Sequence, residues 1–262
     1  RDFWFGSNGQ KDLELFIECG LLECLSEFIS GTRLPLKRLY FLEKAAEGLT
    51  ACDMTLGGMI RYFKLVAHYQ SGNISLCLKI SDEVNEYFSD RTSPFIEAYS
   101  KIYVGLGHAE GGELGRAAAS YTDARSLSIS LFGRLSSQAI VSDALLARIH
   151  YERGEIDTAA ELISSSLADI EGRYGWFDLF VEYYHAITFT ALQRDGVDHT
   201  LALLEKCELK TKKRGIRGLD KTLGLFRIFA LVWGGRVDAA NELAEELELS
   251  QISMSSGGGT AY

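Results

Sequence analysis

The chain has 262 residues, of which 47% are hydrophobic and 24% charged, and its formal net charge is −9. This length allows a well-buried core, and the negative charge disfavours nucleic-acid binding because phosphate backbones carry the same sign. No apolar run is long enough to span a bilayer. Only two prolines occur, Pro35 and Pro94, which favours an all-α chain because long helices tolerate almost no internal proline.

The cysteines indicate a reducing compartment. There are five of them, an odd number, and no two have CxxC spacing. A disulfide framework or a zinc site is therefore not expected, and a cytoplasmic location fits best. We expect no metal and no cofactor.

One pattern recurs along the chain: an apolar helix, a turn with Gly or Asp, and a small residue that opens a second amphipathic helix. The turn residues are, in chain order, Gly31, Gly72, Gly112, Gly154, Asp195 and Gly235. The residues that open the second helices are Leu36, Cys77, Ala117, Ala159, Thr200 and Ala240, at spacings of 41, 40, 42, 41 and 40. Because one helix pair cannot bury its apolar face alone, this period predicts stacked pairs.

The predicted fold is an all-α solenoid of about six helix pairs over residues 1–250. Ser93 and Pro94 predict a helix start, with Ser93 as the N-cap and Pro94 in the first turn. Residues 251–262 are polar and glycine-rich, and we expect a flexible tail. Since the chain begins with Arg1, we expect a piece excised from a larger protein.

The small and bulky residues of the second helices resemble the tetratricopeptide (TPR) repeat. Ala117, Tyr121 and Ala124 match its three second-helix signature positions, and Gly105 matches the first-helix glycine, which Ala147 replaces in the next repeat. The period departs from the usual length of about 34 residues. The usual aromatic residue and terminal proline are mostly missing.

Residues 144–247, which begin ALLARIHYERGEIDTAAELI, resemble a narrower group. They are similar to the TPR-like sensor region of large LuxR-type, ATP-dependent, maltose-regulator-like bacterial transcription regulators. In that family the region lies between an NTPase module and a C-terminal helix-turn-helix, and it binds an inducer or a partner protein. This stretch contains neither a GxxxxGK[ST] loop nor a basic recognition helix, so the resemblance implies that the DNA-binding domain lies elsewhere in the parent chain.

Three other patterns have a functional and a structural interpretation, and we favour the structural one in each case. The segment GLGHAEGGELG suggests a dinucleotide loop, but it follows a helix rather than a strand. His68, His108 and His150 recur at one repeat position, about 10 Å apart, which is too far for shared metal ligation. The basic segment KCELKTKKRGIRG fits a solvated helix C-terminus better than a nucleic-acid patch.

The resemblance to TPR proteins implies that the first helix of each pair lines a concave surface. The residues of this chain at the TPR positions that face the concave surface form a predicted ligand-binding face. In it Arg148, Glu152 and His185 are polar anchors, and aromatic rings flank them. The alternative is that many of these rings pack in the core. The complete predicted set is Tyr62, Tyr69, Tyr99, Arg148, Tyr151, Glu152, His185, Phe189, Phe229 and Trp233.

The main functional hypothesis is therefore an effector-sensing domain of a LuxR-type transcription regulator, which binds a small molecule on the concave face. The alternative is a TPR-type scaffold that binds a peptide or a partner domain. Homo-oligomers are compatible with either hypothesis. No hydrolase signature such as GxSxG or HExxH occurs, so we predict that the chain is not an enzyme. An enclosed cavity around Tyr151 and Phe189 favours a small molecule, whereas an open groove favours a peptide.

Overall fold

The computed structural model describes residues 7–29, 33–49, 54–89, 93–172, 177–214 and 219–247. These residues form twelve α-helices and no strand. The predicted all-α solenoid fold of about six helix pairs is confirmed. The predicted tail at 251–262 and the turn residue Gly31 lie outside the described residues.

The helices divide between two compact units, Arg1–Leu131 and Phe132–Tyr262. That residues 1–250 act as one repeat domain stays a prediction. The first unit holds α1 Ser7–Ile29, α2 Leu36–Ala46, α3 Met54–Gln70, α4 Ile74–Ser89, α5 Pro94–Glu110 and α6 Leu114–Phe132. The second unit holds α7 Ser137–Glu152, α8 Ile156–Gly172, α9 Phe177–Asp195, α10 Val197–Arg214, α11 Leu219–Trp233 and α12 Val237–Glu246.

Within each unit the odd-numbered helices, which are the first helices of the pairs, lie side by side. In the first unit α3 packs against α1 and α5, and in the second unit α9 packs against α7 and α11. Even-numbered helices join neighbouring pairs, since α4 also contacts α5, α8 contacts α9 and α10 contacts α11. No described helix has the length and apolar character needed to cross a membrane.

The predicted small residues lie where the second helices meet their neighbours. Cys77, Ala117, Ala159, Thr200 and Ala240 are each the fourth residue of a second helix, and all are buried. A small side chain here lets two helix backbones approach closely. The assignment of Leu36 is wrong: Leu36 is the first residue of its helix, because Pro35 precedes it as the N-cap residue. The equivalent buried residue is Leu39, so the first spacing is 38 residues rather than 41.

Glycines with left-handed backbone conformation close four of the turns. The φ angles of Gly72, Gly112, Gly154 and Gly235 lie between 70° and 76°, a region that glycine enters without a Cβ clash. The assignment of Asp195 to the fifth turn is wrong. Asp195 is the last residue of α9, and Gly196, with φ of 85°, is the single residue between α9 and α10, whereas three residues form each of the other four turns.

Two of the three repeated histidines fasten such a turn. The backbone N–H of Glu113 donates to the His108 carbonyl at 2.8 Å, while the Glu113 carboxylate accepts a hydrogen bond from His108 Nδ1 at 2.6 Å. His150 and Glu155 form the same pair of contacts. His68 instead shares a hydrogen bond of 2.9 Å with the Tyr40 hydroxyl. Among the described residues, no group of three His, Cys, Asp or Glu side chains is placed to hold a metal ion.

The other two patterns also have structural explanations. Gly105 and Gly107 lie inside α5, and Gly111 and Gly112 form the turn that follows it, as the structural interpretation predicted. In the basic segment, Glu208 binds Lys212 at 2.7 Å and Arg227 of α11 at 2.9 Å. The contact with Arg227 joins the C-terminal half of α10 to the next first helix, and the contact with Lys212 lies within α10.

We expect Gly105→Ala to destabilise the chain by about 1–3 kcal/mol, because an added methyl group overpacks a filled contact. A Cβ at position 105 would lie 2.3 Å from a ring carbon of Tyr121, which is itself buried. Urea unfolding measures the change. The matched control is Gly115→Ala in α6, where a Cβ meets no atom within 4 Å. There, helix propensity predicts a neutral effect or a gain of up to about 1 kcal/mol. Equal effects at both positions would contradict the close contact.

The turn between α5 and α6 predicts a pH dependence. The hydrogen bond from His108, helped by the charge of Arg116, lowers the pKa of the Glu113 carboxyl. Because its folded pKa is depressed, its stabilising contribution is complete above the ordinary glutamate pKa and is lost as the pH falls through the folded value. An NMR titration of the Glu113 carboxyl carbon tests this. His108→Ala should move the pKa back up, and an unchanged pKa would mean that the hydrogen bond has no effect.

Candidate ligand-binding site

Three first helices of the second unit place seven of the ten predicted site residues on one surface. Along α7 the residues are Arg148, Tyr151 and Glu152, along α9 they are His185 and Phe189, and along α11 they are Phe229 and Trp233. Spacings of three and four residues put side chains on the same side of a helix. Because α7, α9 and α11 lie side by side, these surfaces are adjacent.

Four aromatic rings form a continuous line across these helices, which we call the aromatic row: Tyr151, Phe189, Phe229 and Trp233. Ring centroids are 5.9 Å apart for Tyr151 and Phe189, 4.6 Å for Phe189 and Phe229, and 6.1 Å for Phe229 and Trp233. The His185 ring lies 4.4 Å from that of Phe189. The three spacings along the row are within the range of favourable aromatic contacts, and the His185 spacing lies at the short edge of that range.

A pocket of about 300 Å³ lies between α7 and α9, at the Tyr151 end of the row. Five predicted residues line it, Arg148, Tyr151, Glu152, His185 and Phe189. Ala186, which was not predicted, also lines it, and its small side chain leaves the space open.

The other end of the row is exposed. Phe229 is 37% exposed and Trp233 is 55% exposed, and their neighbour Val232 is 53% exposed. Apolar surface that continues from the mouth of a pocket is typical of a binding site for another molecule.

Arg148 already has a partner inside the protein. Its Nη1 lies 3.1 Å from Oε2 of Glu182 on α9, and the Glu182 side chain is only 8% exposed. The charge of Arg148, which was predicted as a polar anchor, is therefore balanced by a carboxylate of the chain. Glu182 was not among the predicted site residues, because sequence spacing alone does not show which side chain of α9 meets Arg148.

His185 is held neutral. Burial lowers the pKa of its imidazole to about 3, and the positive charge of Arg148 adds to the effect. Its Nδ1 is buried and has no hydrogen-bond partner among the described residues. One side of the ring meets Phe189 and another meets Phe226 at 5.7 Å. Phe226 was not predicted, although it lies three residues before Phe229 on the same helix.

The rim of the pocket is negative. Glu152 is exposed. Burial of the ring, with the charge of Glu152 as the smaller cause, raises the pKa of the Tyr151 phenol. The pocket thus combines a balanced Arg–Glu pair, a neutral imidazole and aromatic walls.

The three predicted site residues of the first unit lie in its core. Tyr62, Tyr69 and Tyr99 are 2%, 8% and 1% exposed. The Tyr62 ring lies 6.0 Å from both Phe28 of α1 and Tyr99 of α5, so rings from the neighbouring first helices cover it on both sides. For these three positions the core-packing alternative describes what the structure contains, and we leave them out of the candidate site.

Comparison with known proteins gives matches at the level of structure. No protein-family model and no curated protein matches the chain. The TPR-like repeats of a P. anserina protein described as a kinesin light chain superimpose with a TM-score of 0.53 at 16% identity, covering 74% of this chain and 96% of that one. A variant of the same repeats with one substitution gives 0.54 at 15% identity, covering 73% and 92%.

BtubC (BKLC) of P. vanneervenii superimposes with a TM-score of 0.55 at 12% identity and covers 91% of this chain and 92% of its own. The fold of the chain is TPR-like. At these identities the similarity concerns the fold alone. None of the three structures is described as a transcription regulator, so the resemblance to LuxR-type regulators stays a prediction.

We expect Arg148→Met to destabilise this TPR-like fold by about 3 kcal/mol, because it leaves the buried Glu182 carboxylate without its cation. Adding Glu182→Gln should recover much of the loss, and a double-mutant cycle in urea measures the coupling. The control is Arg116→Met, which removes a surface pair with Glu113 in which the arginine side chain is 70% exposed. That pair should contribute less than about 1 kcal/mol. An Arg148 effect no larger than the Arg116 effect would contradict a structural role for the inner pair.

Proposed function

We propose that the chain is a non-catalytic binding protein that holds a peptide segment of a partner protein on the aromatic row. The observation that carries the proposal is the continuity of the row from the pocket to exposed rings. Tyr151 and Phe189 line the pocket, whereas Phe229 and Trp233 extend away from it across α11. An extended peptide that inserts one side chain and lays the next along the row would use both parts.

The size of the site supports a peptide over an isolated metabolite. A pocket of about 300 Å³ lies at the low end of small-molecule sites. A small ligand that filled it would leave Trp233 exposed. Aromatic residues in the centre of protein interfaces often contribute most of the binding free energy.

The fold supports the same proposal. The similar structures are TPR-like repeat proteins, and a row of helix pairs offers a long surface on which side chains of several repeats can contact one extended segment.

A second candidate function is the small-molecule sensor of a LuxR-type regulator. The pocket itself favours it, because Arg148, Glu152 and His185 converge there with two aromatic walls. In this alternative the ligand would fill the pocket and shift the balance between inactive and active assemblies of the parent protein. The two candidates differ in their use of Trp233, which lies outside the residues that line the pocket.

We expect Trp233→Ala to weaken peptide binding about tenfold or more without loss of stability, since the ring is more than half exposed. Peptides selected from a displayed random library on the chain provide the probes, and fluorescence anisotropy measures their affinity. The matched control is Leu209→Ala on α10, where the side chain is 59% exposed. Leu209→Ala should leave the affinity unchanged.

Two results would contradict peptide binding on the row. One is a selection that enriches no peptide over a parallel selection on the Trp233→Ala chain. The other is a metabolite that raises the melting temperature equally in the wild-type and Trp233→Ala chains but not in Phe189→Ala, which would favour the sensor.

A further inference from the structure

The first helix pair, α1 and α2, carries a group of large apolar side chains that are open to solvent. Their exposed fractions lie between 42% and 63%, and they are Leu15, Phe16, Leu22, Ile29, Tyr40 and Phe41. The α11–α12 pair, which holds the exposed end of the aromatic row, has four such residues. Exposed apolar side chains that gather on one helix pair are typical of a contact with another molecule.

Phe16 of α1 and Phe41 of α2 lie at the centre of this surface. Their ring centroids are 5.8 Å apart in an edge-to-face arrangement, and the residues are 47% and 61% exposed. Both helices pack against α3 through other residues. The buried side of the pair includes Ile17, Leu21, Leu39 and Leu42. The two phenylalanines therefore lie on the side of the pair that faces away from its core.

Charged residues of opposite sign flank the two rings. Around Phe16 they are acidic and around Phe41 they are basic, and all of them are exposed. We call the set the outer face: Asp12, Phe16 and Glu23 of α1, with Lys37, Phe41 and Lys44 of α2. Over its whole length α1 has one lysine and five carboxylates, a net charge of −4, whereas α2 has three cations and one carboxylate, a net charge of +2.

The two helices are antiparallel, which fixes the heights of these charges. Glu27 binds Arg38 at 3.2 Å near the turn between the helices, and Gln10 binds the Gly48 carbonyl at 3.1 Å at the other end. Asp12 is therefore close in height to Lys44, and Glu23 lies toward the Lys37 end. Glu23 also binds Arg38 at 3.1 Å, yet its side chain remains 65% exposed.

A two-fold axis parallel to the helices would match the outer face with a second copy of itself. Such an axis keeps every height and places α1 of one protomer over α2 of its partner. Asp12 would then meet the partner subunit's Lys44, and Glu23 would meet the partner subunit's Lys37. Two phenylalanines from each protomer would fill the space between the helices, as apolar side chains do in a four-helix bundle.

We propose that the outer face binds a second copy of this chain, in a two-fold dimer whose first helix pairs form a four-helix bundle. One helix pair from each protomer provides a smaller contact than the roughly 1,600 Å² of a standard interface, so the dissociation constant is expected in the micromolar range. The outer face belongs to the first unit and the aromatic row to the second, so this proposal is independent of peptide binding.

The first test substitutes the centre of the contact. Sedimentation equilibrium of the intact chain at micromolar and higher concentrations should show a monomer–dimer equilibrium. Phe41→Glu should weaken the dimer at least about tenfold, because it places a carboxylate at the centre of the apolar contact. The matched control is Leu209→Glu on α10, since Leu209 is 59% exposed and Phe41 is 61% exposed. Leu209→Glu should leave the dissociation constant unchanged.

The second test uses the charges and needs no change in the apolar centre. The Lys44→Glu chain and the Asp12→Lys chain should each dimerise about tenfold more weakly than the wild type, because each homodimer would contain two pairs of like charge. When the two chains are mixed, opposite charges face each other again. The mixture should therefore form a 1:1 heterodimer, which native mass spectrometry distinguishes from both homodimers.

Four results would overturn the proposal. They are a chain that stays monomeric at all concentrations, larger assemblies in place of a dimer, a dimer that Phe41→Glu weakens no more than Leu209→Glu does, and a mixture of the two charge variants that forms no heterodimer. If Phe41→Glu fails to fold, the mixing experiment still decides, because Asp12 and Lys44 are both exposed.

Discussion

The close approach of neighbouring helices at small residues is the constraint on which the rest of the structure depends. Ala117 and Ala159, at the fourth position of their helices, are completely buried, and a Cβ at Gly105 would collide with the Tyr121 ring. Larger side chains here would push the helices apart, and the adjacent first helices would lose their packing. The contact of α9 with α7 and α11 is what aligns side chains from three pairs into one row.

The proposed binding surface arises from unequal coverage of aromatic residues on the first helices. Tyr62 is covered on both sides by rings of its neighbouring helices, Phe28 and Tyr99. Phe229 contacts Phe189 and Trp233 yet remains 37% exposed. The same type of residue therefore stabilises the core in one unit and is available for binding in the other.

The electrostatic character of the pocket follows from one buried contact. Arg148 looks like an anion-binding residue when it is considered alone, but the Glu182 carboxylate 3.1 Å away balances it. Burial, with the positive charge of Arg148 as the smaller cause, lowers the pKa of the His185 imidazole to about 3, so the ring beside this pair is neutral.

The sequence by itself determined the all-α helix pairs and most of their period, because apolar spacing, turn glycines and small residues such as Ala159 and Ala240 are local signals. The sequence misplaced two repeat features, the buried residue of the first repeat at Leu36 and the turn residue of the fifth at Asp195. Pro35 makes Leu36 the first residue of its helix, and Gly196 forms the turn in place of Asp195. The sequence also placed Arg148, Tyr151 and His185 on first helices. Only the tertiary structure decided that these residues share a pocket and that Glu182 pairs with Arg148. Those facts depend on how neighbouring helices rotate and pack against each other, which residue spacing within one helix does not specify.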